Sequence, residues 1–244
     1  MKFQPYLSVH QLTLYRAGFE GTMTIGFFYN ADDEFNEQMQ SFLSAEEIDS
    51  YNLLAEAKKN AFVSGRYIAK HCLQHTLPDY HLNEFKITNG IFGQPWLENE
   101  ANLHLSISHT NCASACIVFP REHPMGLDLQ KIDTRARDAI KSQLTSTELE
   151  IADIENYYIH LWTCKEALSK ILQTGLMVPM SVLEIEKIDF CNGFLMSYYK
   201  NFSQYKAISF QWQHYICSIV LPANTTINVQ LLLKNLSASP LLSV

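Results

Sequence analysis

The chain has 244 residues, 47% hydrophobic and 18% charged, which is ample for one large buried core or two smaller ones. A net charge of −7 argues against a sequence-independent nucleic-acid binder, which needs a basic surface. No apolar run approaches the ~20 residues that cross a bilayer, and Met1-Lys2-Phe3-Gln4-Pro5 lacks the apolar core of a secretion signal. A cytosolic chain with no membrane partner is expected.

In chain order, residues 22–29 alternate and predict a strand. Ser44-Ala45-Glu46-Glu47 is a capping box, with Ser44 as N-cap and Glu47 three residues into the helix. It predicts a helix over 45–73 broken near Tyr51. Strands are predicted over 85–88, 103–108, 114–119 and 126–131. Thr145-Ser146-Thr147-Glu148 is a second capping box, opening a helical region that runs to about Gln173 with a break near 154–157. Gly175 suits the left-handed position that ends it. Strands follow over 182–188, 194–199, 207–213, 214–221 and 227–232. Each half thus reads as strand, long helix, strands. The expected fold is α+β, with two similar α/β subdomains, 1–119 and 120–244, joined around 119–124.

The six cysteines (Cys72, Cys112, Cys116, Cys164, Cys191 and Cys217) are scattered, mostly among apolar neighbours. They read as reduced, structural residues and not as a zinc set or a nucleophile.

Two segments carry chemistry. In the second long helix, Leu161-Trp162-Thr163-Cys164-Lys165-Glu166-Ala167 puts Trp162, Glu166 and Lys170 on one stripe, with Lys165 and Ser169 beside them. A carboxylate and an ammonium so placed can hold a metal ion and phosphate oxygens. They can equally form an i,i+4 surface pair, with Trp162 a core anchor. Upstream, Leu105-Ser106-Ile107-Ser108-His109-Thr110 ends in a polar turn, and Met125-Gly126-Leu127-Asp128-Leu129-Gln130 sets a carboxylate in an apolar strand. Burying Asp128 is costly unless a partner such as a divalent cation meets it, and Glu166 is the natural second ligand; a solvated strand face would need neither.

Taken together, the ordered elements Gly93-Gln94-Pro95-Trp96-Leu97, Ser108-His109, Gly126-Leu127-Asp128 and Trp162-Thr163-Cys164-Lys165-Glu166 resemble the Sfp-type 4′-phosphopantetheinyl transferases. Phe62-x-x-Gly65-Arg66, Lys170 and Gly175-Leu176 extend the resemblance, which covers roughly residues 40–180. The last 60 or so residues match no motif. The resemblance implies a pseudo-twofold monomer with its site between the halves. It implies transfer of the 4′-phosphopantetheine arm of coenzyme A to a serine of an apo acyl, peptidyl or aryl carrier protein, releasing adenosine 3′,5′-bisphosphate, with magnesium or manganese.

Site residues follow from the same resemblance. Asp128 and Glu166 match the metal carboxylates. The position two beyond the aspartate, often a third acid, is Gln130 here, whose amide brings an oxygen but no charge. Lys170 matches a lysine on the pyrophosphate, and Lys165 the motif lysine, which can instead pair structurally with a carboxylate. Glu148 matches a glutamate proposed as base on the attacking serine, but it is also a capping-box residue. Lys58 or Lys59, Arg66, Ser108 and His109 match positions that hold the ribose phosphate, although Lys58 and Lys59 can also be a solvated helix face. Gly93-Gln94-Pro95 matches the adenine-side loop, with Gln94 where a basic residue is common. Carrier recognition is expected between Thr134 and Tyr158, where Arg135, Arg137, Asp138, Lys141, Glu148 and Glu150 mix charges. The neutral Gln130 keeps open a second reading, a coenzyme A-binding module without transferase activity.

Overall fold

Period-two patterning begins before residue 22. Tyr6–Arg16 (β1) and Phe19–Tyr29 (β2) form an antiparallel hairpin with Arg16 opposite Phe19, so the strand expected over 22–29 is the second arm of a longer ribbon. The computed structural model describes residues 6–30, 39, 41–98, 100–110, 112–151 and 157–238. The long helical stretch after Ser44 divides into Ala45–Asn52 (α1) and Glu56–Thr76 (α2). Four strands follow: Ile87–Asn89 (β3), Pro95–Leu97 (β4), Leu103–Thr110 (β5) and Ala113–Pro120 (β6).

The second half opens with Gly126–Lys131 (β7), then Arg137–Lys141 (α3), Ser146–Ile151 (α4) and Tyr157–Leu172 (α5). The expected break near 154–157 falls largely on residues 152–156, which lie outside the described residues. Strands Ile185–Cys191 (β8), Phe194–Tyr199 (β9), Tyr205–Trp212 (β10) and Tyr215–Pro222 (β11) follow. The strand expected over 227–232 is instead the start of a helix, Val229–Ser237 (α6). Asn228 caps it by accepting from the Leu231 amide, and the buried Val229, Leu232 and Leu236 recur at helical spacing. Gly175 does not end α5 either. Gln173 takes the left-handed conformation at φ +54°, and the Thr174 amide donates to Ser169 O (3.1 Å), closing the helix two residues earlier.

The sheets run β1-β2-β6-β5 and β7-β11-β10-β9-β8, with β3-β4 a separate ribbon. One core lies between the two larger sheets, where Leu14, Ile25, Phe27 and Ile117 meet Leu127, Leu129, Phe210 and Ile219. Phe27 packs across this core against Trp212, ring centroids 4.8 Å apart and planes tilted by 41°. On the outer face of the first sheet, α2 buries Val63, Ile68, Ala69 and Leu73 against Phe28, Leu105 and Val118. On the outer face of the second, α5 buries Ile159, Leu161, Cys164 and Leu168 against Ile185, Ile216 and Val220. The layers are therefore helix, sheet, sheet, helix. All six cysteines are free, and Cys72, Cys116, Cys164 and Cys217 are buried.

The halves repeat one plan. The order β2-α2-β3-β4-β5-β6 recurs as β7-α5-β8-β9-β10-β11, and in both the first strand pairs the last while the last two form a hairpin. A glycine sits under the helix each time. A Cβ on Gly26 would strike Cys72 and Ile68, and one on Gly126 would strike the Ala167 carbonyl oxygen. The capping boxes repeat too. The Ser44 amide donates to Glu47 Oε2 (2.9 Å), which pairs with Lys70 of α2 at 2.6 Å. The Thr145 amide donates to Glu148 Oε2 (2.9 Å), which pairs with Lys165 of α5 at 2.6 Å. Glu148 also accepts from the Ile185 amide (2.9 Å), and Lys165 donates to Met180 O (3.0 Å). This pair is fully buried and ties α4, α5 and the start of β8 into one node.

Removing one member of such a pair leaves an uncompensated buried charge. Lys165→Met is expected to cost about 3–5 kcal/mol of stability, read as a lower urea midpoint. A loss below ~1 kcal/mol would show that the pair does not hold α5 in place.

Candidate active site between the halves

The edge strands β5 and β7 lie side by side, each in its own sheet, with serine hydroxyls spanning the space between them. Ser106 Oγ accepts from the Leu127 amide (3.1 Å), and Ser108 Oγ accepts from the Leu129 amide (3.1 Å). Alternation along β5 sends both serines to β7 and turns His109 the other way. Ser108 also donates to Asp128 Oδ1 at 2.8 Å. Lys170, in the last turn of α5, closes the seam from above. Its ammonium donates to Ile107 O (3.2 Å) of one half, and to Leu127 O (2.7 Å) and Asp128 Oδ1 (2.9 Å) of the other.

Asp128 is almost fully buried and both its oxygens are used, Oδ2 accepting from Gln130 Nε2 at 3.2 Å. Gln130 therefore meets Asp128 with its nitrogen, not with the oxygen a cation would take. Glu166, one turn before Lys170, is different. Its Oε1 is buried with no hydrogen-bond partner among the described residues. Burial first, and then the negative charge of Asp128, raise its carboxyl to about 7, against the opposing pull of Lys170. An unpartnered buried carboxylate oxygen beside a second carboxylate fits a hard divalent cation, which takes oxygen ligands. Among the described residues no third acid, histidine or cysteine joins them, so substrate and water oxygens would complete its shell.

Two cavities flank the Gly-Gln-Pro loop and share Gly93, Pro95 and Ile107 as a common wall. The first, about 380 Å³, is lined by Lys170, Gln94, Trp96, Arg121, Pro124 and Met125, among others. The second, about 400 Å³, is lined by Lys58, Arg66, Asn89, Phe62 and His109. Gly93 turns the loop at φ +78°, a conformation suited to glycine, and its amide donates to Gly90 O (2.9 Å). Gln94 folds back on that loop, accepting from the Phe92 amide at 3.0 Å.

The residues named from sequence thus divide. Asp128, Gln130, Glu166, Lys170 and Ser108 come together at the seam. Lys58, Arg66, His109, Gly93 and Pro95 come together at the second cavity. Lys59 does not, because it pairs with Glu56 (2.9 Å) and lies over the Tyr51 ring (5.1 Å). Ser108 faces Asp128 and not the Arg66 cavity. Glu148 and Lys165 line neither cavity and are spent on each other. Arg66 is mostly buried: Nε lies 3.2 Å from Glu47 Oε1, and Nη2 donates to Asn89 Oδ1 at 3.0 Å. Ser106, Asn89 and Arg121 had no assigned role. For Ser106, its spacing of two from Ser108 on an apolar strand was the available signal.

Comparison with known proteins gives three findings. Residues 124–220 match the family model of the 4′-phosphopantetheinyl transferase superfamily. A 4′-phosphopantetheinyl transferase of Bacillus subtilis is 26% identical over 118 residues, covering 45% of this chain and 52% of that protein, so the chain spans about half the length of this relative. A holo-(acyl-carrier-protein) synthase from Bacillus anthracis str. Ames, solved in complex with CoA (3′,5′-ADP), aligns with 47% of this chain and 93% of its own at 17% identity and a TM-score of 0.35. The matched segment, 124–220, contains Asp128, Glu166 and Lys170, and it is this part of the chain that is similar to the 4′-phosphopantetheinyl transferase superfamily.

Proposed function

We propose that this protein transfers the 4′-phosphopantetheine arm of coenzyme A to a serine of an apo carrier protein. The observation that carries the reading is the seam itself. A buried Glu166 oxygen with no hydrogen-bond partner among the described residues, the Asp128 carboxylate and the Lys170 ammonium lie together at the seam, and Lys170 lines the first cavity. In the transfer, the serine oxygen bonds to the β-phosphorus. The bond from that phosphorus to the oxygen shared with the α-phosphorus breaks, and adenosine 3′,5′-bisphosphate leaves with the electron pair. Such chemistry depends mainly on positioning and charge neutralisation.

Asp128 and Glu166 would hold magnesium or manganese, which supplies neutralisation of phosphate charge when bound. Lys170 supplies a fixed positive charge from the side of both halves. With a cation bound, Glu166 is held as the carboxylate and does not take the serine proton, which passes to solvent. Glu148, sealed against Lys165, is not assigned that task. Lys58, Arg66 and His109 bind the ribose phosphate in the second cavity, and Gly93 to Pro95 position the base between the cavities.

The working unit we propose is a cytosolic monomer of two halves, 1–119 and 120–244, acting on carrier proteins and not on nucleic acid or membranes. Among the described residues no helix is long and apolar enough to cross a membrane. Carrier docking is assigned to α3 and α4, where Leu149 is exposed beside mixed charges.

Incubation with coenzyme A, Mg²⁺ and an apo carrier should add one phosphopantetheine arm to the carrier by intact mass, and Asp128→Ala should reduce this at least about 100-fold. Binding of coenzyme A without transfer to any of a panel of carriers would support the binding-module reading instead. Lys58, exposed at the second cavity and in no ion pair among the described residues, allows a cleaner phosphate test than the buried Arg66. Lys58→Ala should weaken coenzyme A by about tenfold and leave dephospho-coenzyme A unchanged, whereas equal effects on both would remove Lys58 from the phosphate site.

The raised Glu166 carboxyl has a signed consequence. The folded chain binds its proton more tightly than the unfolded chain does, so that contribution to stability is present below the ordinary value of 4.5 and is lost as pH rises through about 7. Without metal, Glu166→Gln should therefore stabilise the protein at alkaline pH, on the order of 1 kcal/mol, while abolishing Mn²⁺ binding by calorimetry. An unchanged melting temperature with Mn²⁺ binding retained would show that Glu166 is neither buried nor a ligand.

A further inference from the structure

The linker that joins the halves, Arg121 to Pro124, contains a histidine the transfer chemistry does not use. His123 is fully buried, and elements from both halves close on it. From the second half, Thr225 Oγ1, itself fully buried in the turn after β11, lies 3.0 Å from Nε2. From the first half, the Phe19 ring stacks on the imidazole at 5.0 Å and 12°, and the Arg16 guanidinium covers that phenylalanine at 5.4 Å. Beside them, Tyr15 of β1 exchanges two backbone hydrogen bonds with Thr226, at 3.0 and 2.8 Å. The linker also donates its own His123 amide to Pro120 O (2.9 Å). Three segments that are distant in sequence thus meet on one ring.

This junction sits directly behind the cleft. Arg121, Pro124 and Met125, flanking His123, line the cavity that Lys170 faces, and the linker runs on into β7, which carries Asp128. Whatever fixes the linker fixes one wall of that cavity and the entry of β7 into its sheet.

The ring is held in a form that has no place for a second proton. His123 Nδ1 is buried with no partner among the described residues. The Thr225 contact suits either neutral tautomer, but the one with Nε2–H donating to Thr225 leaves Nδ1 a bare lone pair, a tolerable state, where Nδ1–H would lack an acceptor. Protonation would create a buried N–H without an acceptor and a cation in an apolar pocket. The charged groups acting on the ring are Arg16 from the β1-β2 hairpin, which opposes a further positive charge, and Glu122 from the linker, which favours it; the turn after β11 offers only neutral Thr225. Burial dominates and lowers the imidazole from its ordinary value of 6.5.

We propose that His123 is a positioning residue that clasps the two halves while neutral and releases the linker when protonated, so that acidification loosens the coenzyme A cleft. The link to coenzyme A rests on the functional reading above; the clasp does not. For a lowered imidazole the stabilising contribution is present above the unfolded value of 6.5 and is lost as pH falls below it.

Hydrogen exchange of the full chain, corrected for intrinsic rates, tests this. Wild-type amides of residues 121–127 should lose about tenfold protection between about pH 7.5 and about pH 5.5. His123→Gln keeps a donor for Thr225 but cannot ionise, and its protection should not change over that range. Coenzyme A affinity by calorimetry should fall with acidity more steeply in wild type than in His123→Gln. The phosphates and His109 titrate in both proteins, so the difference isolates His123. Should His123→Gln not fold, Thr225→Val serves, with protection already reduced at about pH 7.5. Wild-type protection that is equal at both pH values, or that falls equally in His123→Gln, overturns the clasp. The protection change without any coenzyme A binding supports the clasp and overturns the functional reading.

Discussion

Two sheet edges meet in the middle of this protein without a ladder between them, and the rest of the site depends on how they are joined. Where backbone carbonyls would pair with amides, the hydroxyls of Ser106 and Ser108 accept from Leu127 and Leu129. A side chain reaches only every second residue, so the contact is spaced and short. It leaves room for Lys170 to enter and bond both strands. Replacing either serine with alanine removes the acceptor of a buried amide, a cost of about 1–3 kcal/mol at each position. The polar Ser-x-Ser spacing in an otherwise apolar strand is therefore structural before it is chemical.

Carboxylate partnership separates scaffold from site. Glu47 and Glu148 occupy equivalent places in the two halves, each closing a capping box and each ion-paired with a lysine of the next helix. The recurrence of this arrangement in the half that lacks the acidic seam indicates a scaffold role for Glu148. Asp128 is also satisfied, by Ser108, Gln130 and Lys170. Among the described residues Glu47 Oε1 and Glu166 Oε1 are both buried without a hydrogen bond, but Glu47 Oε1 has the Arg66 guanidinium at 3.2 Å, whereas burial and Asp128 push the Glu166 carboxyl up to about 7. It is this open oxygen, and not the paired acids, on which the proposed cation site rests.

The repeat also divides the labour. The first half contributes cations and a loop, through Lys58, Arg66 and Gly93 to Pro95. The second contributes acids, through Asp128 and Glu166. On the proposed function, a ligand with phosphates at two separated points would touch both halves at once, and the alignment of the halves would then be part of the binding site. The junction of His123, Phe19 and Thr225 lies where that alignment is set.

Much of this was legible in the residues. Period-two alternation located most of the strands, and Ser44 with Glu47 and Thr145 with Glu148 marked two helix starts, because these signals are local. The motif order also groups Asp128, Glu166 and Lys170, and the folded chain places the three side by side at the seam. Other features were decided by packing. Residues 227–232 alternate well enough to read as a strand, but Asn228 and the core contacts of Val229, Leu232 and Leu236 make them a helix. Lys58 and Lys59 are indistinguishable in composition; only the rotation of α2 sends one to the cavity and the other to Glu56. Glu148 and Lys165 each carry a motif role in sequence, yet the folded chain brings them to each other, 2.6 Å apart and out of water. A sequence lists which charges are present, but the partner each one finds depends on contacts between segments far apart in the chain, and those exist only once the layers have packed.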